Sequence, residues 1–360
     1  MKTSEKISIG HIIKYAGAFA ACAIGSGFAT GQEILQFFSA YGTKSILGTL
    51  VTTVLFSWCG ALFMKHGYEH RLETPTEVME FYVGKKAGKY VELLFQIFLF
   101  GVYSIMVAGT GATLNEYFGL DPMAGRVLMA VLALLTVLLG LSRFADILGM
   151  LGPVIVAFAL FVGARSALTS PAGLSAADAF VETASITRTE GGWLWSALLY
   201  PAFNAIVVIF LTCSLGRTAA SKKEAVCGGI AGGVIFGAAI LVMNFGLLAN
   251  IEKISEAQVP TLILAGEVSP WFGNIFSVII CCGIYTTTVP MLWGTVRHFA
   301  PDKTKKSAIL AVLFTCIGFT IGLTDFKVLV NTIYPFSGYV GLLLFLVMLY
   351  RDIKKEKRTD

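Results

Sequence analysis

"AACAIGSGFATGQEILQFF" (residues 20–38) decides how the chain must be read. It opens as a membrane helix, then crowds Gly25, Gly27 and Gly31 together and follows them with Gln32 and Glu33. Glycine is the weakest helix former after proline. Unpaired backbone N–H and C=O groups are costly in lipid, so irregular backbone survives there only beside a cavity, water or protein. Unwinding at Gly25–Gly27 would leave two half-helices ending near the bilayer midplane. The C-terminal end of the inner half offers free carbonyls, which suit a small cation. The N-terminal end of the outer half offers N–H groups and a positive dipole end, which suit a carboxylate.

The composition places this stretch in a membrane. Of 360 residues, 56% are hydrophobic and only 14% charged, and the mean hydropathy is +0.77. No soluble domain hides that much apolar surface, so an all-α polytopic membrane protein in the plasma membrane is expected. The formal charge of +5 is dispersed over short loops and points to no nucleic-acid partner. Cys22, Cys59, Cys213, Cys227, Cys281, Cys282 and Cys316 lie in apolar stretches without CxxC or Cys/His spacing and read as small buried hydrophobes. The four histidines sit near segment ends and form no HExxH or similar set. With no nucleophile–base pair or metal set in view, an enzyme and a covalent cofactor are not expected. The N-terminus resembles a secretory signal, but Lys14 interrupts its apolar run and cleavage near Ala20 would discard half a helix, so the first span is read as uncleaved.

A spanning helix needs about 20 mostly apolar residues. Ten such segments are predicted near 8–40, 44–64, 88–116, 122–140, 144–164, 192–215, 224–249, 270–297, 306–323 and 327–350. With both termini cytoplasmic, 21 of the 27 Lys and Arg fall on the inner side, as the positive-inside rule asks. Residues 1–165 then hold five spans, 166–190 an extracellular connection, 191–350 five more, and 351–360 a basic cytoplasmic tail. Five plus five spans start on opposite sides of the membrane, the topology of an inverted repeat. The interruptions correspond. The glycine break of span 1 matches Pro201 and Asn204 in span 6 ("LLYPAFNAIV"), and Pro153 of span 5 matches Pro335 of span 10. Spans 1 and 6 are therefore expected to be broken near the midplane.

The "AIGSGFATGQE" break, the 5+5 topology and the interrupted span 6 resemble the LeuT fold of the amino acid–polyamine–organocation superfamily, and within it the YkvI-like bacterial membrane proteins, which are amino acid permease candidates. The resemblance covers nearly the whole chain. It implies that Gly25, Ser26 and Gly27 cradle a substrate carboxylate through backbone N–H groups. It implies too that Tyr200 to Asn204 lie across the same cavity, with Tyr103 and Ser104 of span 3 as a wall. Tyr103 reads equally as a packing aromatic, and Asn204 as an interhelical hydrogen bonder.

Sodium-coupled members of the superfamily hold a cation between span 1 carbonyls and span 8 hydroxyls. Aligning the glycines puts those carbonyls on Ala21 and Ile24. In span 8, "CCGIYTTTVPMLWG", Gly283, Thr286 and Thr287 stand at i, i+3 and i+4 on one helical face and can present three oxygens to a hard cation. The competing use is a bond from each threonine to its own preceding turn. Some proton-coupled relatives replace the cation with a span 5 lysine, and span 5 here has no central lysine. Sodium is therefore expected over a proton as coupling ion. Phe28 stands where the superfamily's second sodium site uses an asparagine, so a single ion is expected.

Three charges need an account. Glu33, in the outer half of span 1, could line a vestibule, meet a substrate amine, exchange a proton or gate against a cation such as Lys327; a solvated Glu near the interface is the plainer alternative. Lys14 lies eleven residues before Gly25, about 16 Å down a helix, where it can snorkel. Asp146 needs a partner, with Arg143 or Lys14 in reach, and the group is read as a candidate inner gate. "TPTEVMEFYVGKKAG" reads as a cytoplasmic interfacial helix and "SEAQVPTLILAGEVSPW" as an outer hairpin over the cavity. Together these features predict a secondary active transporter for an amino acid or similar small zwitterion. The rivals are a passive channel or facilitator and a non-transporting sensor on the same fold. Oligomeric state and the identity of the substrate stay open.

Overall fold

Ser8 starts the first helix by accepting a hydrogen bond from the His11 N–H, and α1 (Ile9–Ala23) follows. In the computed structural model, residues 8–140 and 145–359 are described, the side chains of 145–151 and 351–359 excepted. α1 ends at Ile24 (φ −81°, ψ 82°), and the Gly25 N–H turns to the Ala23 carbonyl at 3.0 Å. The Ala21 carbonyl thereby loses the donor that a continuing helix would give it. α2 (Ser26–Thr30) lasts five residues before Gly31 takes φ +78°, and α3 (Gln32–Phe37) follows. Span 1 is thus interrupted twice. The second interruption is satisfied by side chains. Thr30 Oγ1 donates to the Gly27 carbonyl at 2.6 Å, and Thr261 Oγ1 donates to the Ala29 carbonyl at 2.6 Å.

The chain continues through α4 (Lys44–His70), α5 (Pro75–Val83), α6 (Lys85–Phe118), α7 (Pro122–Leu139), α8 (Ala145–Thr169), α9 (Pro171–Thr183) and α10 (Trp193–Arg217). Then come α11 (Lys222–Leu248), α12 (Ile251–Ile254), α13 (Pro260–Val268), α14 (Pro270–Phe299), α15 (Lys305–Ile321) and α16 (Phe326–Thr359). There is no strand among the described residues. Among the described residues eight helices are long and apolar enough to cross a membrane, namely α4, α6, α7, α8, α10, α11, α14 and α16. The first and ninth expected spans are represented by the 15-residue α1 with its short continuations and by the 17-residue α15. The molecule is an all-helical, multi-pass membrane protein.

Lipid tails are as apolar as leucine, so helices associate there by close packing rather than by hydrophobic expulsion. α11 supplies the means with Gly229, Gly233 and Gly237 at four-residue spacing. A Cβ at Gly229 would run into the Gly60 carbonyl, and one at Gly233 into the Ser57 backbone, both on α4. α4 and α11 lie backbone to backbone, α6 packs along α14, and α16 packs along α10.

The expected break in span 6 is not found: α10 runs as one helix through Pro201. Proline removes the donor for the carbonyl four residues earlier, here Ala197. Thr52 Oγ1, from α4, donates to that carbonyl at 2.9 Å. With its orphan acceptor satisfied, the helix need not open. Pro153, Pro290 and Pro335 likewise sit inside α8, α14 and α16.

The connection 166–190, polar in sequence, contains α9. Asp178 of α9 accepts from the Thr43 N–H (2.7 Å) and hydroxyl (2.6 Å) just before α4; these hydrogen bonds hold its carboxyl below the ordinary aspartate range. The predicted interfacial helix is α5, started by a Thr74–Glu77 capping box. Where an outer hairpin was expected, α13 is buried along Thr261, Leu262, Leu264 and Ala265 and braces α2 through Thr261.

Candidate functional site

The break in span 1 opens onto a cavity of about 330 Å³, at the small end of the roughly 300–1,000 Å³ usual for small-molecule sites. Residues Ala21 to Gly27 form one wall. α6 contributes Phe98, Leu99, Val102 and Met106, α10 contributes Phe203 and Asn204, and α14 contributes Gly283, Thr286 and Thr287. Glu33 and Tyr334 close the remaining side.

Of the expected substrate contacts, Gly25, Ser26, Gly27 and Asn204 line this cavity, whereas Tyr103, Ser104 and Tyr200 do not. Asn204 Nδ2 donates to the Tyr200 carbonyl at 3.0 Å, within its own helix. Tyr103 is fully buried with its ring toward Gly318 of α15, and the Ser104 hydroxyl bonds to the Phe100 carbonyl at 3.2 Å. The α6 face on the cavity is Leu99–Val102–Met106, at i, i+3 and i+7, one position round from the face predicted. Tyr200 lies behind Glu33 with its ring against Phe37, Phe38 and Phe203.

The residues expected around a cation, Ala21, Ile24, Gly283, Thr286 and Thr287, all reach the cavity. Thr286 and Thr287 both donate to the Gly283 carbonyl, at 2.7 and 3.1 Å, the bond to the preceding turn of their own helix that was the competing expectation. A hydroxyl that donates its proton keeps oxygen lone pairs for a cation. The Ser26 hydroxyl lies 3.1 Å from Thr287 Oγ1 and 2.9 Å from Met106 Sδ, tying α2 to α14 and α6. Among the described residues no three His, Cys, Asp or Glu side chains gather as a metal site would require.

Glu33 sits in the cavity wall rather than in an outer vestibule, and is 5% exposed. The turn at Gly31 folds its side chain back over Gly27, where a Cβ would overlap Glu33 Oε1 and lie 3.1 Å from the Tyr334 hydroxyl. Tyr200 Oη donates to Glu33 Oε2 at 3.4 Å. Lys327, a sequence candidate for its partner, instead meets Glu256 at 3.3 Å. Lys14 is exposed and shows no ion pair among the described residues. Arg143 and the Asp146 side chain lie outside the described residues, and with them the predicted inner gate.

Two wall residues went unread in the sequence. One is Tyr334, whose signal was its place beside Pro335 in span 10; it stacks at 4.8 Å, ring planes 6° apart, on Phe203, which belongs to the Tyr200–Asn204 stretch expected across the cavity. Met106 follows from the Leu99–Val102 face. A second, apolar groove of about 390 Å³ between α5, α6, α10 and α16 shares Phe95 and Phe98 with the cavity. Its hydroxyls, Thr332 and Ser337, are spent on carbonyls of their own helix, so it has little with which to orient a polar ligand.

A bundle of membrane-length helices whose first member is interrupted over a buried cavity defines a class, the LeuT-like fold. Solved structures share it. A Na+-coupled sialic acid symporter, in its substrate-bound outward-open state, matches with a TM-score of 0.59 at 13% identity, over 96% of this chain and 82% of that one. A manganese transporter from Eremococcus coleocola, in complex with an aromatic bis-isothiourea substituted compound, matches with a TM-score of 0.53 at 15% identity, over 94% and 78%. In sequence the chain is similar to two proteins of Bacillus subtilis (strain 168). The uncharacterized membrane protein YkvI is 25% identical over 346 residues, covering 93% of this chain and 94% of the relative. The uncharacterized protein YyaD is 28% identical over 340 residues, covering 93% and 95%. No family model matches the chain.

Proposed function

We propose that the protein is a secondary active transporter that takes up an amino acid or similar small zwitterion together with a cation, sodium in preference to a proton. The observation that carries this reading is the placement of bare span 1 backbone and span 8 hydroxyls around one cavity of amino-acid size. The Ala21 and Ile24 carbonyls with Gly283, Thr286 and Thr287 would hold the ion; Gly25 and Ser26 would face the substrate carboxylate. The Na+ coupling of the sialic acid symporter, which has the same fold, supports the choice of ion.

Residues 1–165 and 191–350 would be inverted repeats, placing ten spans in the membrane. The pairing of α4 with α11 and of α6 with α14 supports this, since a twofold axis brings equivalent elements near it into contact with each other. Spans 1, 2, 6 and 7 would rock against the others, and the ion would favour the outward-open state. The test is uptake of labelled amino acids into proteoliposomes. Accumulation above the external concentration, driven by an inward sodium gradient and abolished by its collapse, is expected. Flux that merely equilibrates would establish a facilitator, and ligand binding without flux a sensor.

A further inference from the structure

We propose that Glu33 is the counter-ion for the ammonium group of the substrate, so that this cavity takes small apolar amines and amino acids and excludes acids without a cationic nitrogen. The inference rests on the reading of the cavity as a substrate site, and extends it to a substrate class.

The charge balance of the cavity carries the argument. Among the described residues Glu33 is the one carboxylate on its wall, and no Lys, Arg or His lines it. No ion pair to Glu33 occurs among the described residues; its partners are the phenols of Tyr200 and Tyr334. A buried ionised carboxylate is strongly unfavourable unless paired, and otherwise takes up a proton; the ammonium of a ligand would supply the pairing charge that the wall does not. Gly27 is the residue that lets the carboxylate reach this position, because any side chain there would occupy the space of Glu33 Oε1. Beside it, the stacked rings of Phe203 and Tyr334 give aromatic surface on which an ammonium is favoured over a carboxylate. The rest of the wall is largely apolar, with Leu99, Val102, Met106 and Ile155, which suits a hydrocarbon body. A zwitterion would then lie in one orientation, its carboxylate toward Gly25 and Ser26 and its ammonium toward Glu33.

The experiment measures thermal stabilisation and binding calorimetry of the full chain in detergent with sodium present. The probes are matched sets: leucine, 3-methylbutylamine and 4-methylpentanoate; phenylalanine, 2-phenylethylamine and 3-phenylpropanoate; alanine, ethylamine and propanoate. In at least one set the amino acid and the amine are expected to bind, with the acid at least tenfold weaker. E33Q is expected to weaken the binding amine by tenfold or more while E33D retains part of it. If E33Q does not fold, the wild-type series decides alone. An acid that binds as well as its amino acid overturns the proposal. So does a folded E33Q with unchanged amine affinity, or a wild-type protein that binds none of the amines, which would leave Glu33 as a proton carrier. Transport is judged separately. Amines that bind without being accumulated would sink the transporter and leave the counter-ion standing; accumulation of a desamino acid would do the reverse.

Discussion

Gly27 meets the tip of a side chain rather than backbone, and that sets what a substitution there would do. Valine would displace the Glu33 carboxylate without forcing helices apart, so G27V should fold. It should lose ligand affinity by about tenfold or more, the loss expected when a charged hydrogen bond worth roughly 1.5–3 kcal/mol is misplaced. Normal affinity in calorimetry on folded G27V would argue against this placement of the site. Thr286 and Thr287 make a sharper case. Their hydroxyls bond within the molecule to the Gly283 carbonyl of their own helix, and one also lies by Ser26, so valine at both leaves the packing almost unchanged. Sodium at 100 times its Kd stabilises a folded protein by about 2.7 kcal/mol. In T286V/T287V the sodium-dependent rise in melting temperature should vanish; its persistence would remove these residues from the ion site. The glycines and threonines were legible because they cluster, Gly25, Gly27 and Gly31 in span 1 and Thr286, Thr287 and Thr288 in span 8. The place of Glu33 was not: a straight helix would carry it about 9 Å beyond Gly27, and only the left-handed turn at Gly31 brings it back.

At the level of the element, Pro201 marks where reading a helix from its own sequence fails. The proline is visible, but whether the helix opens depends on Thr52, far away in the chain, which supplies the missing hydrogen bond. T52V should strand the Ala197 carbonyl and cost about 1–3 kcal/mol, seen as a lower melting temperature in detergent. P201A restores the helix's own donor, so T52V should be nearly neutral in that background. A double-mutant cycle measures the coupling directly, and additive effects would mean that Thr52 does not compensate for the proline. Other elements were legible to different depths. The long apolar helices follow from hydropathy alone, and α5 from its Thr74–Glu77 cap. α9 was missed because its alanines and short polar residues carry little apolar periodicity, though Pro171 after Ser170 was a start signal. The glycine ridge of α11 was plain in the letters, and its partner on α4 was not, since a small-residue stripe does not name the helix it meets.

For the whole molecule, the separation between a transporter and a pore lies in when the cavity can be reached, and from where. Cys22 stands on the cavity wall, so the chain carries its own reporter. With Cys59, Cys213, Cys227, Cys281, Cys282 and Cys316 replaced by alanine, a small charged thiol reagent that cannot cross the bilayer reports access to Cys22 from one face at a time. Alternating access requires that conditions favouring entry from one side disfavour it from the other, because the same two-state equilibrium governs both. Sodium should therefore speed labelling from the outer face and slow it from the inner face, by about 1.8-fold and about 5.5-fold for a shift from equal populations to ten to one. Substrate at saturation should slow both by filling the cavity. A shift from equal populations to ten to one takes about 1.4 kcal/mol of differential ion affinity, well within what one bound cation supplies. Labelling from both faces that does not respond to sodium would describe an open passage, in which the interrupted helix lines a pore and couples nothing.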